Sequence, residues 1–192
     1  NPQNVGYSFT HNFLSDLGRT NSFAGQINFI ASLLFNMSLL LAGGVIVMFY
    51  FHVQNIFVEC NYMGLAFIGS AFGIMSGFAL MGVGLTPSDI YLPLHDVSAK
   101  WLFRSFFATA ICYSVIIYHS DFIENKYAAS YFMFAFSILI YIFISELGPH
   151  PNQSELALNI QVIAQKIIFL ILISAVYSQT HALKKLRTKN FQ

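Results

Sequence analysis

Charge is what this chain of 192 residues has little of: 9% of them are Asp, Glu, Lys or Arg, and 56% are hydrophobic. A soluble domain carries about 25% charged residues, so the scarcity excludes a globule coated in charge and points to the bilayer as solvent. A net charge of +1 excludes the strongly basic surface that a nucleic-acid partner needs. Two cysteines, Cys60 and Cys112, exclude a disulfide framework. Cys112 lies inside an apolar run, where a small buried thiol is the ordinary role. The chain opens on Asn1, not Met. A polar opening stretch of some 26 residues on the outer side is usually delivered by an upstream helix, so the pattern predicts a further apolar helix before Asn1.

What the chain has is long uncharged runs. Residues 27–51, 63–84, 105–118 and 127–145 contain no charge, and 156–178 contains only Lys166. A spanning helix needs about 20 mostly apolar residues, and backbone groups in lipid must be satisfied within the segment. The prediction is an all-α polytopic bundle forming one transmembrane domain. Its spans are about 27–51, 63–84, 101–118, 127–145 and 156–178, after an outer segment 1–26 and before a tail 179–192. Five spans here imply six with the upstream helix. Lys184, Lys185, Arg187 and Lys189 place the tail in the cytoplasm of a cell-membrane protein. Loops 52–62 and 119–126 then share that side, and the opening stretch, 85–99 and 146–155 face outside. Gly69, Gly73 and Gly77 form a stripe of small residues on the second run. Such a stripe serves close packing inside the bundle or a homo-oligomer interface.

The polar residues gather in the three outer stretches. They supply His11, Asp16, Arg19, Asp89, His95, Asp96, Lys100, Arg104, Glu146, His150 and Glu155. Asp96, Lys100 and Arg104, spaced by four, share a helix face. Pro87 and Pro93 stiffen the preceding loop, where Ser88 or Asp89 can cap a short helix. Lys166 lies about 15 Å along its helix at ~1.5 Å per residue, a depth that costs at least about 2.5 kcal/mol. It must face inward beside Gln165, to an ion path or to a structural partner such as Glu146 or Asp16. In "SDLG" (15–18), Gly18 permits a turn that re-aims Arg19. The opening segment is thus predicted to fold back as a lid, joining Asp16 and Arg19 to His95, Asp96 and Lys166.

"GYSFTHNFLSDLGRT", "MGVGLTPSDIYLPLHDVSAKWLF" and "QVIAQKIIF" together resemble the family catalogued as domain of unknown function 998. The resemblance covers essentially the whole chain and implies a prokaryotic multi-span membrane protein with one more helix before the "YSF" element. It implies no activity. A remoter similarity is to the membrane hydrolases containing alkaline ceramidases and adiponectin-type receptors, although the paired histidines of that group's last helix are missing.

Three functions compete. One is an outer pocket that binds membrane lipid head groups, or a subunit of a membrane complex. Arg19, Asp89, Lys100, Arg104, Glu146, Gln165 and Lys166 are its candidate ligand-binding residues. The second is a zinc-dependent hydrolase of a lipid or lipid-linked substrate. His11, His95 and His150 would be its metal ligands, with Asp16 or Asp96 as base. The third is a b-type haem protein, for which His52, His95, His119 and His150 sit poorly, at helix ends or in loops.

Overall fold

The structure is a computed structural model that describes residues 6–57, 62–121 and 123–189, with side chains described as far as His181. It is an all-α bundle with five helices long and apolar enough to cross a membrane. They are α1 (Phe29–Val53), α2 (Met63–Leu85), α3 (Leu92–Tyr118), α4 (Asn125–Ile142) and α5 (Glu155–Lys189). Cys60 lies outside the described residues, and Cys112 is buried.

Consecutive helices pack on one another in chain order. The core lies where α2, α3 and α4 meet, around Leu102, Phe106, Tyr113, Ile116 and Ile138. α1 is the least buried helix, and an unbroken stripe of exposed side chains runs along it: Ile30, Leu34, Met37, Leu41, Val45 and Met48. Spacings of three and four residues put that stripe on one face, which suits lipid. At one end of the bundle the buried Tyr50 ring of α1 lies 5.8 Å from the Tyr113 ring of α3, centre to centre. At the other end the opening segment connects α1 to α5.

The glycine stripe is internal. A Cβ on Gly69 would strike Cys112 and Tyr113, one on Gly73 would enter the Tyr50 ring, and one on Gly77 would meet Val47 and the Gly43 carbonyl. The stripe is where α1 and α3 of the same chain approach α2, so it is not free to receive a second copy.

Helix boundaries differ from expectation at two places. α3 starts at Leu92, nine residues before the expected span, because Pro93 occupies its first turn, where a missing N–H is harmless. Asp89 caps no short helix there; the N-cap of α3 is Tyr91, which makes no side-chain cap. α5 continues to Lys189, so the segment expected as a tail after residue 178 carries the helix on. α4 ends in a π-helical turn, Phe143–Leu147.

Gly73→Leu should destabilise the detergent-solubilised protein by about 1–3 kcal/mol or more, the range for overpacking. Gly44→Ala, where a Cβ meets nothing within 4 Å, should leave the melting temperature level or raise it. Thermal melts of the two variants check the assignment.

Candidate functional site

Residues 6–28 form a strap across one end of the bundle. Its centre is a short 3-10 helix, Leu14–Gly18. The Asp16 carboxylate closes this turn by accepting the Phe13 N–H at 2.8 Å, with the Asn12 amide donating at 3.4 Å. An acceptor at this position satisfies an N–H that a helix start leaves bare.

The bundle holds the strap by its backbone. Lys166 Nζ donates to the Asn12 carbonyl at 2.6 Å, and Gln165 Oε1 accepts the Leu14 N–H at 2.6 Å. On the α1 side, Ser32 Oγ and Asn36 Nδ2 both donate to the Gly18 carbonyl, at 2.8 and 3.0 Å. Asn28 Nδ2 donates to the carbonyls of Leu17 and Arg19. Gly18 is buried, and a Cβ there would fall 2.5 Å from Asn36 Oδ1. The glycine is therefore needed for close approach, since its backbone takes no left-handed conformation.

Two further ties complete the strap. Asp89, in the α2–α3 connection, accepts the Thr20 and Asn21 N–H groups at 3.1 and 2.9 Å and the Thr20 hydroxyl at 2.7 Å. His11 Nε2 meets Glu155 Oε1 at 3.1 Å, while its Nδ1 lies 2.8 Å from Thr10 Oγ1. Burial pushes the Asp89 carboxyl up, but the Thr20 hydroxyl and the Asn21 and Thr20 N–H groups outweigh it and hold it below the usual value. For Asp16 burial prevails and raises the carboxyl, against the pull of Asn12, the Phe13 N–H and the charges of Arg19 and Lys166.

Lys166 is 8% exposed. Its ammonium lies 5.4 Å from the Tyr7 ring centre and 5.0 Å from that of Phe9, within the range of cation–π attraction. Its hydrogen-bond partner is a carbonyl and not one of the expected carboxylates. Glu146 is taken by Arg104, which grips it with Nε at 3.1 Å and Nη2 at 2.5 Å.

Within the strap lies a cavity of about 220 Å³, lined by Tyr7, Asn12, Asp16, Arg19, Phe23 and Asn28 among others. Arg19 enters it with its guanidinium 4.0 Å from the Phe23 ring centre. Its Nε donates to the Asn21 carbonyl at 3.2 Å. Among the described residues no carboxylate pairs with it within 4 Å. Ile27 lines the same cavity and is 84% exposed; it pairs with Asn21 in an isolated bridge two residues before α1 begins.

The three histidines expected on one zinc ion are not brought together. His11 is tied to Glu155, His95 Nδ1 lies 2.8 Å from the Thr86 carbonyl, and His150 Nδ1 accepts the Asn152 N–H at 3.3 Å. Among the described residues no group of three or more His, Cys, Asp or Glu side chains is arranged to hold a metal ion. His52 and His119 each point Nδ1 at a carbonyl of their own helix. His95 and Asp96 do not join the strap cluster; Asp96 is exposed just past the first turn of α3, with Lys100 one turn further on. Sequence reasoning missed Asn12, Asn28, Ser32 and Asn36. The signal available was three polar side chains, at 28, 32 and 36, at four-residue spacing on a helix otherwise apolar.

Asp89→Asn should lower the melting temperature at neutral pH by removing a charged acceptor of three donors, about 1–2 kcal/mol on the scale of lost caps. The Asp89 carboxyl is depressed in the folded state, so its stabilisation is present above the ordinary carboxylate value. It is lost as pH falls through the folded value. Melts of parent and variant should therefore converge in acid; a constant gap across that range would refute the role.

Searches of family models, curated proteins and solved structures find no match to this chain, so the site is read from its own geometry.

Proposed function

We propose that this integral membrane protein holds the polar head of a membrane lipid in the strap cavity, on the extracytoplasmic side of a cell membrane. The observation that carries the reading is Arg19: a guanidinium 4.0 Å from the Phe23 ring centre, lining a cavity, with no carboxylate within 4 Å among the described residues. A fixed fork of N–H donors matches the oxygens of a phosphate. The resemblance to the domain of unknown function 998 family fits a multi-span bundle and adds no chemistry. A zinc hydrolase is less favoured because its three histidines have separate partners. A subunit of a membrane complex is the other non-catalytic reading, and it does not require retained lipid.

The parent protein, gently extracted and examined by native mass spectrometry, should carry adducts in the lipid mass range. Arg19→Gln should lose them by about tenfold or more, the equivalent of about 1.4 kcal/mol. Equal adducts in both proteins, or none in either, would remove this reading.

Orientation follows from Lys184, Lys185, Arg187 and Lys189 at one end. A cysteine placed at Asn152 should be labelled by an impermeant reagent added to intact cells, and one at Thr188 should not. The reverse pattern would invert the topology.

A further inference from the structure

We infer that the ligand of the strap cavity is an anionic glycerophospholipid whose phosphodiester sits on Arg19 and whose acyl chain lies along α1. The inference rests on the head-group reading above and names its ligand class. Two independent features carry it: the donors left over in the cavity, and the apolar track that leaves it.

The cavity is rich in donors. Arg19 uses Nε on the Asn21 carbonyl, which leaves its two amino groups for a ligand. Ser22 Oγ accepts the Gln26 N–H at 3.1 Å, so its own hydrogen is available, and both residues line the cavity. The acceptor side is partly engaged: Asp16 Oδ2 takes both the Phe13 N–H and the Asn12 amide, and the carboxylate lies in the field of both Arg19 and Lys166. Asp89 does not line the cavity, and its two oxygens face the strap's own donors. A phosphodiester therefore meets a cation with no carboxylate within 4 Å among the described residues. An ammonium group adds a positive charge beside Arg19, so ethanolamine and choline heads are disfavoured against glycerol.

The track explains why the phosphate comes from a lipid. Ile27 lines the cavity and is 84% exposed. Below it Ile30, Leu34 and Leu41 are 73%, 67% and 68% exposed, on one face of α1. A free phosphate has no use for that stripe. A chain leaving the cavity sideways meets it at once.

The test uses the full chain, incubated with vesicles holding equal amounts of phosphatidylglycerol, phosphatidylethanolamine and phosphatidylcholine, then extracted. Retained lipid is counted by native mass spectrometry. The expected result is phosphatidylglycerol in about tenfold excess over the other two, lost in Arg19→Gln and reduced in Arg19→Lys, which keeps charge without the fork. A melt of each variant establishes that it is folded. If Arg19→Gln is not folded, Phe23→Leu replaces it, and a drop in the phosphatidylglycerol excess is required. Equal retention of the three lipids with dependence on Arg19 intact overturns the selectivity and leaves the head-group reading standing. Retention indifferent to Arg19 overturns both. Soluble glycerol phosphate that displaces the lipid at equal concentration overturns the lipid as source, as does an Ile30→Asn, Leu34→Asn variant that retains as much lipid as the parent.

Discussion

The hydrogen bond from Lys166 to the Asn12 carbonyl is the contact on which the strap end of the bundle depends. An ammonium on a membrane helix cannot be left bare in hydrocarbon. Here it is answered by a backbone oxygen, two aromatic rings and the nearby Asp16 charge. That arrangement fixes where Asn12 must be, and the turn Leu14–Gly18 follows from it. α1 then repeats the device with Ser32 and Asn36 on the Gly18 carbonyl. Two helices that share little direct packing at this end are thereby joined through a third piece of chain.

The cavity is a by-product of that anchoring. Because Asn12 and Gly18 are drawn into the bundle, the residues after Gly18 must climb out again before α1 can begin at Phe29. The outward excursion through Arg19, Phe23 and Gly25 encloses a space beside the start of α1. Gly25 takes a positive φ of 78° there, a conformation that suits glycine and lets the chain double back.

The bundle was legible in the sequence because apolar length is a strong signal and needs no partner. Lys166 is legible as an unusual residue, since charge inside a greasy run is costly wherever it points. Its partner is harder to read. Lys166 was expected to seek a carboxylate and found a carbonyl, and a backbone oxygen carries no mark in the sequence. The histidines misled for the opposite reason. Each is conspicuous by type, yet His95 is satisfied locally by the Thr86 carbonyl and His150 by the Asn152 N–H. Pro93 reads as a loop residue from the sequence, although a first-turn proline begins a helix equally well. The glycine stripe is legible as a surface of close approach, but its spacing does not name Tyr50 and Tyr113 as the side chains that meet it.

Most of the strap is held by its main chain: the carbonyls of Asn12, Leu17, Gly18 and Arg19, and the amides of Leu14, Thr20 and Asn21. Main-chain groups are the same in every residue except proline. The side chains of Leu14 and Leu17 are therefore comparatively free to drift, whereas Gly18 is needed bare and Asn12, Arg19 and Thr20 also use their side chains. Chain length is not free, because one residue added or removed between Asn12 and Gly18 would bring a different carbonyl to α1 while α5 kept its own. The strap is in that sense a ruler more than a motif, and relatives of this protein would be recognised by the spacing between its anchors.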